Sequence, residues 1–514
     1  MIKRLLLLLM IMCISIKVNA AEKILPVPLD SRPFCSKTVV DAARIASIEM
    51  PSPPHELLDY FTVPGEVDEL RSWTLDHIAE VDAAILSIDQ LTAGGLIASR
   101  EKIITDAEID RLIEFLIELR RRAPNKKLYA FSILPRHLPP SSIENYHQRK
   151  ALIEYSRLLS RADADIEMLI ELDAFITAEN KRLYFDRFRQ SEKLNRRLIA
   201  LTELGVIDRL IIGSDDSERH SIQNILAARL SKELNTRVSI THGADELAMT
   251  LLARHVLGDR QFKIRVEYND RTAAYRVMPF MSASVGEVVV EKINLLGAKI
   301  IDEGEDFTLF VSVDGARKKI FPPRGAALVD LAVHFDRDET LLPIMIAAEF
   351  PINSLLAYSS FNTTGNSIGC ALAEAAITLS SLARSNSIDD AADVCRANIN
   401  FLNARIIEDQ LYLKEAIDSV NNALRKLGRD PAYLDFGLEY NTASFVLDTV
   451  MANKIERYRQ SKSFRTPIRI KTPAGLLKIR AEDIRASMRF PWPRTFEIEL
   501  QSNVRVSIEK SRDV

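Results

Sequence analysis

The sequence is poor in cysteine and has almost no net charge. Only 4 of its 514 residues are cysteine, and the formal net charge is −3. So sparse a set does not make a disulfide framework, and a chain without a basic excess is not expected to be a general nucleic-acid binder. No CxxC or HExxH spacing occurs, so the sequence carries no strong zinc signature.

Long apolar runs are missing beyond the N-terminus, so no later segment is predicted to span a membrane. The one candidate, residues 5–16, follows Lys3 and Arg4 and precedes a small-residue motif that ends at Ala20. About 12 apolar residues are too few to cross a bilayer, and the pattern is typical of a secretory signal. We predict that residues 1–20 are cleaved and that the mature protein is periplasmic or secreted, without stable membrane insertion.

The mature chain would keep an odd number of cysteines, namely Cys35, Cys370 and Cys395. One bridge between Cys370 and Cys395 is an alternative, but buried thiols are the interpretation we favour. With 47% hydrophobic residues, the chain has enough apolar surface for one or more cores, which excludes intrinsic disorder.

Short β-rich runs alternate with amphipathic helical patterns through the first half of the chain. Strands are predicted at residues 23–29, 47–50, 83–88, 127–134, 209–212 and 237–241. The helical patterns between them include 106–122, 142–161 and 221–234, whereas 162–178 is ambiguous between strand and helix. Strands spaced by helices predict a parallel sheet with crossover connections.

The rest of the chain divides into four segments after an N-terminal α/β domain at 21–255. Residues 256–345 are predicted to form a small inserted α/β unit, with strands at 263–267, 299–302 and 307–313 and a helix at 285–296. Residues 346–385 would supply the last strand and helix of the main domain, with the strand at 354–360. A helical region at 386–465 and a C-terminal β segment at 466–514 follow. The predicted fold is a (β/α)8-like barrel, and an open doubly wound parallel sheet is the alternative.

Polar residues follow the predicted strands where each one ends. They are Asp30 and Arg32, Asp89, Arg136, Asp215 and Asp216, Asp245 and Glu246, and Asn362 and Asn366. The ends of parallel strands meet on one face, where active sites form. A single acid there is typically the N-cap of the next helix, but several that converge indicate one shared pocket.

Two pairs of adjacent acids are the catalytic candidates, Asp215-Asp216 and Asp245-Glu246. Neighbouring carboxyl groups in different environments have separated pKa values, so one can act as an acid or a base. We expect Glu246 to be a general acid and Asp245 to orient the substrate. Helix capping and the helix dipole are the alternative explanation of these acids.

The remaining candidates would bind substrate. They are Asp30, Arg32, Asp89, Arg100, Arg136, Tyr358, Asn362, Asn366, Trp492 and Arg494. The arginines suit an anionic group or a carboxylate network, and structural ion pairs are the alternative. No cofactor is expected. The histidines, His242 among them, are too scattered to specify a metal site, although a divalent metal ion remains an alternative.

Six sequence blocks carry a resemblance to a known family. They are PLDSRP at 28–33, SIDQLTAGGLIASR at 87–100, GSDD at 213–216, GADE at 243–246, FNTTGN at 361–366 and PWPRTFE at 491–497. In these blocks the chain resembles a bacterial family catalogued as a domain of unknown function (number 4127), over nearly the whole mature chain. Phe361 stands where the family pattern has Trp, which implies weaker stacking on a ligand. The resemblance implies no settled activity.

Three functions are compatible with these residues. The first is an exported glycosidase that uses paired carboxylates, with N-acetylated sugars as one substrate class and Tyr358, Phe361 and Trp492 as stacking aromatics. The second is a metal-dependent phosphoester or amide hydrolase with oxygen ligands from Asp30, Asp89, Asp215 and Asp245. The third is a non-catalytic protein that binds a glycan or peptide at the same face.

Overall fold

The computed structural model describes residues 21–332, 339–435 and 437–511, and the predicted signal segment 1–20 lies outside them. The fold is mixed α/β. Its first sheet is parallel, in the order β1-β2-β3-β4-β5. These strands are β1 Ile24–Val27, β2 Ala83–Ser87, β3 Lys127–Leu134, β4 Arg209–Ser214 and β5 Val238–His242.

The first sheet is buried on both faces because alternate side chains of each strand enter different cores. Leu25 and Val27 of β1 pack in one apolar cluster, whereas Ile24 packs in the other. In β2, Ile85 and Leu86 divide in the same way. This explains why the strands read as continuous apolar runs in the sequence.

Ten α-helices of the described residues lie between the strands of the first sheet or directly after its last strand along the chain. They are Lys37–Ile45, Val67–His77, Ile88–Ala93, Leu96–Glu101, Asp106–Arg122, Tyr146–Leu159, Ile166–Phe175, Ala178–Glu203, Ile222–Leu230 and Leu247–Leu257. The predicted helix at 106–122 is confirmed, and a capping box between Thr105 and Glu108 fixes its start. The ambiguous segment 162–178 contains helix Ile166–Phe175. The strand predicted at 47–50 is wrong, since Glu49 makes only an isolated bridge to Lys23 and prolines follow at once.

The second sheet is also parallel and has the order β10-β9-β8-β6-β7. Its strands are β6 Lys263–Tyr268, β7 Lys299–Ile300, β8 Phe307–Val313, β9 Ala327–Leu331 and β10 Ala357–Ser359. Sequence reasoning missed β9. β10, which lies in the segment predicted to supply the last strand and helix of the main domain, pairs with β9 in the second sheet. The predicted helix at 285–296 is confirmed.

One helix joins the two sheets into a shared core. Helix Thr364–Arg384 contacts β5 of the first sheet and β9 and β10 of the second. Most of its side chains are buried, including polar ones such as Asn366 and Glu374. A helix surrounded by protein on all sides is apolar almost all round, which its alanine-rich sequence satisfies.

The remaining helices pack around this core, and the C-terminus forms a separate sheet. The helices are Val285–Leu296, Leu342–Ala347, Ile388–Arg405, the π-helix Ile406–Lys414, Ile417–Lys426, Leu438–Gln460 and Lys462–Arg465. The strands are the antiparallel β11 Ile468–Thr472, β12 Gly475–Arg489 and β13 Glu499–Ser511. The predicted C-terminal β segment is thus present.

The strand order establishes a mixed α/β fold with two five-stranded parallel sheets. The finer choice between a (β/α)8-like barrel and an open doubly wound sheet stays a prediction, as do the domain boundaries. Among the described residues, no helix is both long and apolar enough to cross a membrane. The three cysteines in that part of the chain are free, buried thiols.

Candidate functional site

The strand ends of the first sheet bring most of the predicted residues together. Asp30 lies after β1, Asp89 after β2, Arg136 after β3, Asp215 after β4 and Asp245 after β5. All five strands run parallel, so these residues share the carboxyl edge of the sheet. The contacts described below form two groups, one of Asp30, Arg32 and Asp245 and one of Arg100, Arg136, Asp215 and Asp216. We call these residues, together with Asp89, the strand-end cluster.

Arg32 lies at the centre of the cluster and binds two aspartates. Its Nε donates to both oxygens of Asp30 at 3.0 Å, and its Nη2 is 2.6 Å from Asp30 Oδ2 and 2.7 Å from Asp245 Oδ1. All three side chains are buried. Burial by itself lowers the pKa of Arg32, but the charges of Asp245 and Asp30 raise that pKa well above its ordinary value.

Asp245 is held by the asparagines of the FNTTGN block. Asn366 Nδ2 donates to Asp245 Oδ2 at 3.2 Å, and Asn362 Nδ2 lies 3.4 Å from the same oxygen. Asn366 Oδ1 in turn accepts the backbone N–H of Ala244 at 3.0 Å. The start of helix Thr364–Arg384 therefore fixes both the carboxylate and the backbone of the GADE turn.

Asp215 and Asp216 follow β4 and have pKa values shifted in opposite directions. Arg100 donates to Asp215 Oδ2 through Nε at 3.0 Å and also through Nη2. Burial acts to raise the pKa of Asp215, but the charge and hydrogen bonds of Arg100 prevail and lower it. Burial and the neighbouring charge of Asp215 together raise the pKa of Asp216 to about 6. Arg136 Nη1 lies 3.9 Å from Asp216 Oδ2.

Two further buried acids have raised pKa values. Burial raises the pKa of Asp89 to about 7, although its Oδ2 accepts the backbone N–H of Ile133 at 2.9 Å. Burial and the charge of Asp30 raise the pKa of Asp59 to about 8. Asp59 accepts the N–H of Ser31 at 2.8 Å. Sequence reasoning missed Asp59, because no strand or helix pattern marks its loop.

The PWPRTFE block reaches the cluster from the far end of the chain. Trp492 is 1% exposed and donates from Nε1 to Ser31 Oγ at 2.9 Å. The guanidinium of Arg494 lies 4.8 Å from the Trp492 ring and pairs with Glu497. The Arg32 guanidinium lies 5.6 Å from the centroid of the same ring, so both arginines make cation–π contacts with the Trp492 indole.

The geometry above coincides with the sequence blocks that suggested a family. The model of the family described as "Protein of unknown function (DUF4127)" matches residues 24–501. The chain belongs to this family. No curated protein and no solved structure matches the chain. The resemblance predicted from the six blocks is confirmed. Each DUF4127 block supplies one residue to the strand-end cluster or to its contacts, namely Arg32, Arg100, Asp215, Asp245, Asn366 and Trp492.

Glu246 of the DUF4127 block GADE does not join the cluster. Its side chain is 0% exposed, and it forms an ion pair with the buried Lys292. Burial raises the pKa of Glu246, while Lys292 acts to lower it. Two glycines pack closely against the Glu246 side chain. A Cβ atom on Gly243 would stand 2.6 Å from Glu246 Oε1, and one on Gly369 would stand even closer to Glu246 Cγ. The general-acid role of Glu246 stays a prediction. In this structure the carboxyl group of Glu246 is not exposed to solvent.

Two of the predicted stacking aromatics lie in the core. Tyr358 is 0% exposed, and its hydroxyl donates to Gln410 Oε1 at 3.1 Å. Phe361, which replaces the tryptophan of the DUF4127 pattern, stacks on Phe34 with ring centroids 3.6 Å apart. Both rings are therefore occupied by protein partners. Phe496 is 41% exposed and is the aromatic side chain of the PWPRTFE block that solvent reaches.

A second group of buried acids surrounds the carboxyl ends of the second sheet. Asp330 is the next-to-last residue of β9 and accepts the N–H groups of Leu341 and Leu342 at 2.8 Å each. Asp409 of the π-helix accepts the N–H of Ser360, just beyond β10, at 3.0 Å. Burial raises the pKa of Asp330 to about 6 and also raises that of Asp409. Both acids bind backbone N–H groups, and Asp409 also pairs with the buried Arg405 at 3.2 Å.

Three side chains of the cluster region carry donor atoms of the kind that bind a metal ion. Donor atoms of Asp30, Cys35 and Asp245 lie within 4.8 Å of one another. The Arg32 guanidinium, however, lies among the same atoms, with Nη2 3.6 Å from Cys35 Sγ as well as bound to both aspartates. Burial raises the pKa of the Cys35 thiol well above its ordinary value. The Arg32 guanidinium thus already supplies a buried positive charge among these donor atoms.

Proposed function

We propose that the protein is a carbohydrate-active hydrolase of the glycosidase type, with Asp216 as its general acid. The observation that carries the proposal is that the pKa values of the adjacent residues Asp215 and Asp216 are shifted in opposite directions. Asp215 is kept ionised by Arg100, whereas Asp216 is raised to a pKa of about 6. Glycosidases need one protonated and one ionised carboxyl group at the scissile bond, and a raised pKa next to a lowered one supplies that pair.

Exposure supports Asp216 over the other acids of the cluster. Its side chain and that of Arg136 are each 23% exposed, whereas Asp30, Asp89 and Glu246 are almost completely buried. The acid role predicted for Glu246 is therefore transferred to Asp216 in this proposal. A general acid must reach the leaving-group oxygen, and a partly exposed carboxyl group can do so.

The remaining polar groups at this edge would bind the sugar. Asn362 is exposed, and Arg136 lies beside Asp216, so both can donate hydrogen bonds to hydroxyl or acetamide groups. N-acetylated sugars are the substrate class we would test first, because adjacent acids can orient an acetamide and protonate the leaving group. We also keep periplasmic or secreted localisation within the proposal. For the architecture we retain the (β/α)8-like barrel, in which consecutive strands pair in the order seen in β1 to β5.

The test is a screen of the purified protein, starting at residue 21, on chromogenic glycosides, including N-acetylated ones. We expect turnover that falls as the pH rises through about 6, because Asp216 must be protonated. Asp216→Asn should lower kcat by about 10²–10⁴-fold, while the control Asp302→Asn, an exposed aspartate, should not. A wild-type rate in Asp216→Asn would refute the assignment.

Chelation separates this proposal from the alternatives. The carboxylate mechanism predicts that EDTA leaves turnover unchanged. Loss of activity with EDTA and recovery with a divalent cation would support the metal-dependent hydrolase instead. The pairing of Asp30 and Asp245 with Arg32, and of Asp215 with Arg100, already gives three of the four proposed metal ligands a cationic partner. Binding of an oligosaccharide without turnover would favour the non-catalytic binding protein.

A further inference from the structure

A second polar array lies beside Asp215 and Asp216 and takes no part in the mechanism proposed above. His242, the last residue of β5, has its Nε2 2.7 Å from Ser282 Oγ and its Nδ1 2.8 Å from Glu291 Oε2. These residues come from a strand end, a loop and helix Val285–Leu296. Hydroxyl, imidazole and carboxylate in this order are the parts of a nucleophile, its base and the group that orients the base.

The partners of Glu291 determine where the proton of His242 lies. Glu291 Oε1 accepts hydrogen bonds from Thr241 Oγ1 and from the backbone N–H of His242, each at 2.5 Å. Burial acts to raise the pKa of Glu291, but the hydrogen bond and charge of His242 lower it. An ionised Glu291 accepts the Nδ1–H of the imidazole, which leaves Nε2 free to accept the Ser282 proton.

Ser217 positions the Ser282 hydroxyl from the other side. Ser217 Oγ accepts the backbone N–H of Ser282 at 3.1 Å and donates to Ser282 Oγ at 3.2 Å. The N–H of Ser217 in turn donates to Phe280 O at 3.0 Å. The loop is thereby tied to the segment that follows β4. Ser282 is partly exposed.

We propose that Ser282, His242 and Glu291 form a hydrolytic triad that cleaves carboxylic esters. Ser282 Oγ would attack the ester carbonyl carbon as its proton passes to His242 Nε2. The carbon–oxygen bond to the alcohol then breaks, and the departing alcohol takes the proton from His242. Water attacks the resulting acyl–serine with His242 as base, which releases the carboxylic acid and restores Ser282. Glu291 stabilises the imidazolium throughout.

The loop that carries Ser282 indicates the kind of acyl group. Tyr275, Val277 and Phe280 are 82%, 52% and 52% exposed, although all three are large apolar residues. Phe280 has a φ of 62°, a conformation that costs free energy in a non-glycine residue and that occurs often at functional sites. Exposed apolar side chains gathered in one loop are typical of a binding surface. We therefore assign an apolar acyl group to the substrate.

The test uses the full chain from residue 21 and two probes. A fluorophosphonate should label the protein, and mass spectrometry should locate the adduct on Ser282. The protein should also hydrolyse p-nitrophenyl esters, with butyrate or octanoate preferred to acetate. Ser282→Ala should abolish labelling and lower ester hydrolysis by more than about 10³-fold, whereas the control Ser231→Ala, an exposed serine after helix Ile222–Leu230, should retain both.

Glu291→Gln tests the positioning role in the same assays. It should slow labelling and ester hydrolysis less than Ser282→Ala does, because the nucleophile and base remain. An adduct on another residue, or a wild-type protein that is folded by circular dichroism but neither labelled nor active on esters, would overturn the proposal. Asp216→Asn should keep full labelling and Ser282→Ala should keep glycoside turnover, so this proposal and the proposed glycosidase activity can fail separately.

Discussion

At the scale of single residues, the two acids of the GADE block have different surroundings. Asp245 meets Arg32 and two asparagines at the strand-end cluster, whereas its neighbour Glu246 turns into the core and meets Lys292. The side chains of Glu246 and Lys292 are 0% and 1% exposed. A buried ion pair is costly to break, because the group that remains carries an uncompensated charge.

Glu246→Gln is the variant that separates a structural from a catalytic role. Since it strands the Lys292 charge in the core, we expect the free energy of unfolding to fall by about 3–5 kcal/mol, measured by urea denaturation. The double variant Glu246→Gln/Lys292→Met should recover much of this loss. The exposed control Glu303→Gln should change stability by less than about 0.5 kcal/mol. An unchanged unfolding energy with lost turnover would instead support Glu246 as the general acid.

At the scale of secondary-structure elements, the close approach of helix Thr364–Arg384 to β5 shapes the cluster. A Cβ atom on Gly365 would stand 2.7 Å from the carbonyl oxygen of His242. Only glycine lets the first turn of the helix come so near, and that turn carries Asn366 to Asp245. The glycine of the FNTTGN block therefore has a steric explanation.

Gly365→Ala tests this approach. The added methyl group must push the helix away from β5, so we expect a loss of about 1–3 kcal/mol in the free energy of unfolding. Glycoside turnover should also fall, because Asn366 holds the proposed sugar-binding residue Asn362 through a hydrogen bond of 2.8 Å and would move with the helix. Chemical denaturation and the glycoside assay measure the two effects. A variant with wild-type stability would contradict the close contact.

The elements themselves were largely predictable, and the exceptions have local causes. The helix at 106–122 has both an apolar period and a capping box, and its bounds agree with the prediction. The strand β3 at Lys127–Leu134 also has its predicted bounds. In contrast, β9 was missed although its five residues make it as long as β2 and β5, because the buried Asp330 interrupts its apolar run. Without β9, the partner of β10 could not be identified from the sequence.

At the scale of the whole molecule, the concentration of buried acids determines how stability depends on pH. The pKa values of Asp59, Asp89 and Asp216 are raised to about 8, 7 and 6. Between the ordinary aspartate pKa and these values, the folded state binds more protons than the unfolded state. Stability contributed by each group is therefore present at low pH and is lost as the pH rises through this range.

We expect the free energy of unfolding to decline from about pH 4 to pH 8, by up to about 1.4 kcal/mol per pH unit for each titrating group. Asp59→Asn should flatten the decline most between pH 7 and pH 8, where Asp89 has already titrated. The exposed control Asp302→Asn should leave the slope unchanged. Urea denaturation at a series of pH values measures both, and a wild-type slope in Asp59→Asn would contradict the raised pKa.

The sequence by itself determined the α/β class, the family and the set of strand-end residues. It could do so because apolar periodicity is local and because parallel strands place their carboxyl ends on one edge. Only the tertiary structure decided which carboxyl group meets which cation. Arg32 joins Asp30 to Asp245, and Asp245 lies 213 positions from Arg32 along the chain. Glu246 pairs with Lys292 in the core instead of joining the cluster. The contacts of His242 with Ser282 and Glu291 likewise form only in the folded protein. Burial and charge pairing depend on contacts between distant segments, which no local sequence pattern records.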